Sequence, residues 1–352
     1  MRQSVLDRYS GGAKAREEAL CCPVEYDRRL LEPLPQEIIE RDYGCGDPSR
    51  YVRPGDVVLD LGSGGGKICY MAAQLVGEEG AVIGVDMNDD MLALARKYQR
   101  EMAEKLGGDR VRFLKGLIQD LALDLAATDR WLAEHPITSH RGLAALHAFQ
   151  REQRATAPLI ADGTIDLVIS NCVLNLVDHH EKPRLFREIF RVLRPGGRVA
   201  ISDIVADRPV PQALMEDPEL WSGCISGAME EQAFLDAFSA AGLCGVRIDK
   251  REPTPWREVE GIAFRAITVT AEKPSAAATE EQMRRVIYRG PFARVTDERG
   301  GCFVRGAATP VDAAGWALLQ SAPYRDHFLP ADPTEEEAEA PSSGCRPGGG
   351  CC

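Results

Sequence analysis

The sequence predicts an α/β fold of the doubly wound, Rossmann-like type. Three observations support this prediction. Short apolar segments alternate with helical segments between residues 57 and 205, which is typical of a parallel sheet covered by helices on both faces. The first apolar segment runs directly into a glycine-rich turn, and the second ends in an aspartate, as in α/β proteins that hold nucleotide-like cofactors. We therefore expect one doubly wound domain over about residues 50–273.

Each element of this domain has its own signal. Helices are expected through about Leu75, from about Asp89 to Leu106, and near Lys182–Leu193, where Pro195-Gly196-Gly197 stops the last of them. A helix at 230–241 and strands near 245–251 and 263–272 would complete the sheet. The strands of the parallel part are expected in VVLDL (57–61), AVIGVD (81–86), VRFLKG (111–116), IDLVIS (165–170) and GGRVAISDIV (196–205).

The rest of the chain divides by composition. Residues 1–49 precede the domain and carry cysteines, and the polar stretch at about 120–160 is too long for an ordinary loop and predicts an inserted helical hairpin. After the linker KPSAAATEEQ (273–282), residues 274–330 suggest a small β-rich C-terminal domain. Residues 331–352 are acidic and then rich in Pro, Ser and Gly, which predicts a disordered, cysteine-containing tail.

Composition limits the partners. A net charge of -12 would repel a phosphate backbone, so nucleic acid is not an expected partner. No run of 18 apolar residues predicts a membrane span, and residues 1–19 lack the apolar core of a signal peptide. We therefore expect a cytoplasmic protein. In that reducing compartment, eleven cysteines do not indicate a disulfide scaffold and need another reason.

The glycine-rich turn indicates which cofactor binds. A dinucleotide fingerprint requires glycine at the position of Lys67, so the turn is similar instead to the compact turn of class I S-adenosylmethionine-dependent methyltransferases. Asp60 would anchor this turn or meet the amino group of the cofactor through water. Asp86 stands where a carboxylate accepts hydrogen bonds from ribose hydroxyls, and Met87 would cover the adenine. The alternative is that the glycines only ease the packing of helix on strand.

One thiol stands where the methyl acceptor is expected. Cys172 follows the fourth parallel strand, and ligands of open α/β sheets lie beyond the carboxyl ends of the strands. Methylation of oxygen or nitrogen usually needs a general base, and none is evident beyond His179 and His180. Trivalent arsenic needs no base, because it carries a lone pair and thiolates bind it well. A small buried apolar role for Cys172 stays an equal alternative.

Four motifs together resemble arsenite methyltransferases, the family that methylates As(III) with S-adenosylmethionine. They are YGCG (43–46), the glycine turn followed by CY (69–70), ISNCVLNLV (169–177) and LWSGCISGA (220–228), and the similarity continues through VIYRG (286–290) and YRDHFL (324–329). The resemblance implies As(III) at Cys45, Cys172 and Cys224, of which Cys172 and Cys224 are the usual ligands, while Cys45 forms a disulfide as the product is reduced. It also implies a redox role for Cys21 or Cys22, with Cys22 taken as the catalytic one.

The same resemblance implies the cofactor, the partners and the oligomeric state. The cofactor is S-adenosyl-L-methionine, the substrate is arsenite or its thiol conjugates, and thioredoxin or glutathione reopens the disulfide. A monomer is expected. The predicted cofactor-binding residues are Tyr43, Asp60, Gly62, Ser63, Gly64, Gly66, Asp86, Met87, Leu117, Ile118 and Asn171.

The sequence departs from the family pattern at three places. Gly223 replaces a glutamate before the third cysteine, Ile68 replaces an aspartate at the cofactor turn, and the 117–164 region is longer than usual. Two other functions stay open: a class I methyltransferase acting on another small molecule, and a non-catalytic, thiol-rich arsenical-binding protein. Cys351 and Cys352, in the predicted tail, either capture As(III) or pass electrons, or have no role.

Overall fold

The computed structural model describes residues 2–17, 24–274, 284–298, 301–321 and 323–331. They divide between two compact units, Met1–Lys273 and Pro274–Cys352. The predicted tail after residue 331 and the predicted redox residues Cys21 and Cys22 lie outside the described residues.

The helices of the first unit flank the strands in alternation, as predicted. The strands are β1 (Val57–Leu61), β2 (Ala81–Asp86), β3 (Val111–Leu117), β4 (Asp120–Asp124), β5 (Ile165–Asn171), β6 (Leu193–Ala206), β7 (Met229–Glu230), β8 (Cys244–Arg251), β9 (Arg257–Val259) and β10 (Ile262–Glu272). The helices are α1 (Arg2–Lys14), α2 (Arg28–Leu31), α3 (Gln36–Glu40), α4 (Lys67–Leu75), α5 (Asp89–Lys97), α6 (Gln99–Leu106), α7 (Leu125–Glu134), α8 (His140–Thr156), α9 (Lys182–Val192), α10 (Gln212–Met215), α11 (Pro218–Ser222) and α12 (Glu231–Ala240).

The strands form one mixed sheet in the order β4-β3-β2-β1-β5-β6-β10-β8, with β7 beside β6 and β9 beside β10. Neighbours from β3 to β6 run parallel, whereas β10 pairs antiparallel with both β6 and β8. The predicted doubly wound fold is confirmed. The strand order reverses between β1 and β5, so the carboxyl ends of these two strands are where a ligand crevice is expected.

Two apolar clusters cover the faces of the sheet. One packs α9 and α12 against it through aromatic side chains that include Phe186, Phe234 and Phe238. The other packs α4, α5 and α6 through Tyr70, Met71 and neighbouring residues. Because both faces are covered, β5 is buried along its whole length.

Three elements differ from the prediction in detail. The expected helix at 89–106 is two helices, α5 and α6, which meet at Tyr98, where the backbone leaves the helical region. The insert contains the expected helical hairpin of α7 and α8, but its first residues form the edge strand β4, paired with β3. Helix α9 ends at Val192 and residues 195–197 already belong to β6, because a proline restrains the residue before it to extended geometry.

The second unit contains the predicted β-rich appendage. Its strands are β11 (Arg284–Tyr288), β12 (Arg294–Thr296), β13 (Cys302–Val304), β14 (Ala308–Val311) and β15 (Phe328–Pro330), with one helix, α13 (Ala313–Gln320). Strands β14, β11 and β15 form an antiparallel sheet, and β12 pairs with β13. Among the helices that the structure describes, none has the length and apolar character needed to cross a bilayer.

Candidate active site

A cavity of about 610 Å³ opens at the carboxyl ends of the central strands. Its wall combines the turns after β1, β2, β3 and β5 with one side of α1. The predicted site residues on this wall are Tyr43, Asp60, Gly62, Ser63, Gly64, Asp86, Met87, Leu117, Ile118, Asn171 and Cys172.

The glycine turn is closed by the aspartate that ends β2. Gly62 and Gly64 both have positive φ, +71° and +50°, a conformation that glycine adopts without a Cβ penalty. The backbone N–H of Gly64 donates to Asp86 Oδ2 at 2.9 Å, and the N–H of Asn88 donates to Asp86 Oδ1 at 2.8 Å. Each carboxylate oxygen keeps a second lone pair, so Asp86 can still accept from a ligand.

Asp60 is buried under this turn. The thiol of Cys69 donates to Asp60 Oδ2 at 3.3 Å. Burial raises the pKa of Asp60 to about 7, and the nearby charges of Asp42 and Asp86 act in the same direction. Burial likewise raises the pKa of Asp86. A cation that enters the cavity would therefore stabilise the ionised form of Asp60.

The cavity fits S-adenosylmethionine in its polar groups and in its charge. Ser63 Oγ is buried at the turn and has no hydrogen-bond partner in the described structure. The charged side chains on the wall are five carboxylates (Asp42, Asp60, Asp86, Asp178, Glu181) and two guanidinium groups (Arg2, Arg41). An excess of acidic groups in a crevice attracts a positively charged ligand such as a sulfonium.

Asn171 holds the loop that carries Cys45. Its Oδ1 accepts from the backbone N–H groups of Cys45 and Gly46 at 2.9 and 3.0 Å, and its Nδ2 donates to the Gly46 carbonyl at 2.8 Å. A Cβ on Gly44 would collide with the Asn171 amide, and one on Gly46 with the Ser202 side chain. The two glycines around Cys45 thus permit a close approach of the loop to the ends of β5 and β6.

Cys172 and Cys224 approach each other from separate loops. The Sγ of Cys224 donates to the backbone carbonyl of Cys172 at 3.1 Å. Both residues have left-handed backbone geometry, with φ of +64° and +60°, which is rare for residues with a side chain and concentrates at functional sites. Cys45 belongs to the same buried apolar cluster. Two cysteines 52 residues apart in the sequence are therefore in contact, through the thiol of Cys224 and the backbone of Cys172.

The described residues contain no ready-made group of three Cys, His, Asp or Glu side chains that could hold a metal ion. All three cysteines are buried, and of the three only Cys172 lines the cavity. Coordination of one atom by all three sulfurs would therefore require a local rearrangement.

A buried polar network supports the two cysteine loops. Asp203 accepts from the N–H groups of Leu174 and Ile204, both at 2.8 Å. Lys182, which is only 3% exposed, donates its ammonium to the carbonyl of Gly227. Burial lowers the pKa of Lys182 to about 8 and raises that of Asp203 to about 6, and in both cases the charge of the other residue acts against the shift.

The amide of Asn175 completes the support by joining the two loops. Its Nδ2 donates to the carbonyl of Ile204 at 2.7 Å and to that of Cys224 at 3.3 Å. The backbone that carries Cys224 is therefore tied to the loop after Cys172.

Neither of the two neighbouring histidines lies on the cavity wall. His179 is packed edge-on against Trp221, and burial lowers its pKa to about 4, so it is neutral at physiological pH and a weak base. This agrees with the expectation that no poised histidine serves the site.

Helix α1 is the part of the site that the sequence prediction missed. It contributes Arg2, Val5, Leu6 and Tyr9 to the wall. Residues 5, 6 and 9 have the i, i+1, i+4 spacing of one helix face, which was the available signal. Gly66 is the predicted cofactor-binding residue that does not line the cavity. It is the N-cap of α4, and an added Cβ would lie 2.8 Å from Phe113.

The structure shows where two of the three departures from the family pattern lie. Ile68 lies on the cavity wall and presents an apolar side chain there. Gly223 follows α11, and a Cβ added to it would lie 3.1 Å from the carbonyl of Glu219 and 3.5 Å from Nη1 of Arg8.

Comparisons with known proteins agree with this geometry. A methyltransferase domain model matches residues 53–155 and 132–258, and a domain of unknown function (DUF8838) matches residues 275–350. The chain is 32% identical to an arsenite methyltransferase of Aquipseudomonas alcaligenes, over 93% of this chain and 90% of that relative. It is 30% identical to the arsenite methyltransferase of Mus musculus, over 86% of this chain and 74% of that relative.

A solved structure extends the likeness to three dimensions. The crystal structure of an arsenic(III) S-adenosylmethionine methyltransferase from Chlamydomonas reinhardtii superposes with a TM-score of 0.59 at 27% identity, covering 88% of this chain and 96% of that one.

Proposed function

The chain belongs to the arsenite methyltransferase family, and on that basis we propose that it transfers a methyl group from S-adenosylmethionine to As(III) bound by the thiolates of Cys172 and Cys224. The carrying observation is the contact between these two residues, with Cys224 Sγ 3.1 Å from the carbonyl of Cys172, beside a cavity that reaches the glycine turn. As(III) is a softer methyl acceptor than oxygen or nitrogen, and it suits a site that has two thiols and no histidine on the described cavity wall to act as a base.

S-adenosylmethionine supplies an activated methyl group on a sulfonium. The backbone of residues 62–64 would hold its methionine part, with Asp60 and Tyr43 nearby, and the carboxylate of Asp86 would accept from the ribose hydroxyls. Met87, Leu117 and Ile118 would enclose the adenine. The acidic wall favours a cation, and Asn171 contributes by positioning the Cys45 loop.

As(III) enters as a thiol conjugate and exchanges onto the protein. Each exchange forms one arsenic–sulfur bond to a cysteine and breaks one to the carrier thiol, which leaves with the proton of the cysteine. Cys172 lies on the wall and Cys224 directly behind it, so arsenic on Cys172 is within reach of the second sulfur after a small movement. Cys45 becomes the third ligand if its loop shifts, and otherwise the carrier thiol keeps that place.

The lone pair of arsenic then forms a bond to the methyl carbon while the carbon–sulfur bond of the sulfonium breaks; S-adenosylhomocysteine leaves as a neutral thioether, and arsenic becomes pentavalent with the positive charge. The chain contributes proximity and orientation, because it holds acceptor and donor at the same end of the sheet. Two sulfur ligands next leave as a disulfide and return two electrons to arsenic, and a thiol of the reductant takes the vacated position and releases its proton. Where Cys45 is the third ligand it is one of the two sulfurs of this disulfide; where the carrier thiol is the third ligand, Cys45 enters the disulfide by exchange. A thioredoxin-type dithiol or glutathione reopens the disulfide by exchange.

The test compares single cysteine variants in the presence of arsenite, S-adenosylmethionine and a dithiol. Cys172→Ser and Cys224→Ser should each abolish methylated arsenic products, separated by chromatography, because a hydroxyl is a poor ligand for As(III). Cys244→Ser is the matched control. Cys244, the first residue of β8, is also buried, and its thiol donates to the carbonyl of Glu272 at 3.4 Å.

Other results would support other functions. Absence of As(III) binding to the unaltered protein would indicate a methyltransferase for another small molecule. Binding of As(III) without consumption of S-adenosylmethionine would indicate a sequestering protein. Full methylation by both serine variants would contradict the proposed role of these thiols.

A further inference from the structure

The hydroxyl of Tyr9 on helix α1 lies 3.7 Å from Sγ of Cys224. Residues 1–52 lie outside the part of the chain that the methyltransferase domain model matches, so this contact comes from a segment that the family model does not cover. Tyr9 also lines the cavity, and its ring packs edge-on against Tyr43 at 6.2 Å between centroids. The phenol therefore joins the methyl-transfer cavity to the buried sulfur.

Hydrogen bonds hold helix α1 over the site on two sides. On the cofactor side, Nδ2 of Asn88 donates to the carbonyl of Leu6 at 3.2 Å. On the thiol side, Nη1 of Arg8 donates to the carbonyl of Glu219 at 3.1 Å and to Ser222 Oγ at 3.2 Å. Because residues 8 and 9 are adjacent, the Arg8 contacts hold the Tyr9 hydroxyl close to Cys224.

The hydrogen bonds at Cys224 change direction when arsenic binds. In this structure the thiol proton of Cys224 points to the carbonyl of Cys172. Formation of an arsenic–sulfur bond removes that proton, which leaves with the departing carrier thiol, and the lone pairs of the sulfur then face the carbonyl oxygen. A donor on another side of the sulfur offsets this unfavourable contact, because it supplies the hydrogen bond that the sulfur, without its proton, can only accept.

The phenol of Tyr9 is suited to donate. Its hydroxyl lies within hydrogen-bond reach of Cys224 Sγ, and a phenol carries its proton at neutral pH and can donate it to a sulfur that has lost its own. Phenylalanine at this position would keep the ring contact with Tyr43 and lose only the donor.

We propose that Tyr9 is a positioning residue for arsenic, which donates its hydroxyl hydrogen bond to the thiolate of Cys224 and holds that sulfur in its arsenic-bound state. The inference rests on the proposed role of Cys224 as an arsenic ligand. It assigns a function to helix α1 beyond that of covering the cavity.

The experiment measures binding of arsenite premixed with glutathione by titration calorimetry, together with kcat and KM for both substrates. Loss of one buried hydrogen bond should weaken As(III) binding by Tyr9→Phe about 5-fold. The KM for arsenite should rise, while the dissociation constant for S-adenosylmethionine stays within about 2-fold of the unaltered value. Tyr70→Phe is the matched control. It removes a buried hydroxyl that donates to the backbone carbonyl of Ala95 at 2.7 Å, and neither residue lines the cavity.

A double-mutant cycle separates this inference from the proposed function. Tyr9→Phe should add nothing to the loss of As(III) binding caused by Cys224→Ser. Unaltered As(III) affinity in Tyr9→Phe would overturn the inference, as would equal weakening of As(III) and S-adenosylmethionine binding. Unaltered As(III) affinity in Cys224→Ser itself would overturn the proposed function.

Discussion

The side-chain oxygen of Asn171 accepts the backbone N–H of Cys45 at 2.9 Å, across a sequence separation of 126 residues. Asn171, the last residue of β5, therefore holds the backbone of Cys45, which precedes the first strand of the sheet. Cys172, the next residue, lies on the cavity wall. One dipeptide thus sets the position of two of the proposed active-site cysteines.

Removal of the Asn171 amide should separate methyl transfer from redox recycling. Asn171→Ala loses three buried hydrogen bonds to the Cys45 loop, which predicts a loss of about 2–4 kcal/mol in the free energy of unfolding. The first methyl transfer should continue under single-turnover conditions, while steady-state turnover with a dithiol falls at least several-fold. Chemical denaturation and rapid-quench assays measure these two quantities.

Gln99→Ala is the control for this variant. The side-chain amide of Gln99 donates to the carbonyl of Val111 at 2.8 Å and to the carboxylate of Asp109, and Gln99 does not line the cavity. Equal loss of single-turnover and steady-state rates in Asn171→Ala would contradict the assignment of Cys45 to the redox step.

A single methyl group on the Cys45 loop should have a similar effect. The Cβ of Gly44→Ala would collide with the Asn171 amide, so the loop must move away from β5. We expect a loss of stability of about 1–3 kcal/mol from this overpacking and slower steady-state turnover. Gly11→Ala is a strict control, because nothing lies within 4 Å of its added Cβ and alanine favours the helix by up to about 1 kcal/mol. Thermal unfolding should move in opposite directions for the two variants.

The sequence predicted the parts of the site that depend on local pattern. Asp60, the glycine turn and Asp86 are placed by strand ends, and ligands of open α/β sheets lie beyond the carboxyl ends of the strands. The role of helix α1 could not be predicted in this way, because its packing over the cavity depends on long-range contacts such as Arg8 with the carbonyl of Glu219. The break between α5 and α6 at Tyr98 could not be predicted either, because the sequences of both helices have helical periodicity.

The charge state of Asp60 should control the affinity for S-adenosylmethionine. The pKa of Asp60 is raised to about 7, chiefly by burial, so the carboxyl is increasingly protonated as the pH falls below this value. A sulfonium cation favours the ionised form, and affinity should therefore rise about 5- to 10-fold between about pH 6 and pH 8. Titration calorimetry over that range measures the dependence.

Asp60→Asn should bind S-adenosylmethionine weakly and with a much smaller pH dependence. The neutral amide keeps the size of the side chain but cannot ionise. An unaltered slope of affinity against pH in this variant would assign the titration to another group, such as Asp86, whose pKa is also raised by burial.

Lys182 should contribute far more to stability than a lysine on the surface. It is 3% exposed and donates to the carbonyl of Gly227, three residues after Cys224. Lys182→Met keeps most of the apolar volume and leaves the Asp203 carboxylate without the positive charge that favours its ionised form. Loss of the buried hydrogen bond from the Lys182 ammonium should cost about 1–3 kcal/mol, whereas Lys105→Met, which removes an exposed ion pair with Glu101 and an exposed hydrogen bond to the carbonyl of Pro33, should cost about 0.5 kcal/mol or less.

The double variant Lys182→Met/Asp203→Asn should recover part of that stability, because it removes the unpaired carboxylate as well. As(III) affinity should be lower than that of the unaltered protein in both the single and the double variant, because both lack the hydrogen bond from Lys182 to the carbonyl of Gly227 in the Cys224 loop. Urea denaturation together with titration of glutathione-bound arsenite measures both effects. Full recovery of As(III) binding in the double variant would show that the buried charge, and not the hydrogen bond to Gly227, determines the position of the Cys224 loop.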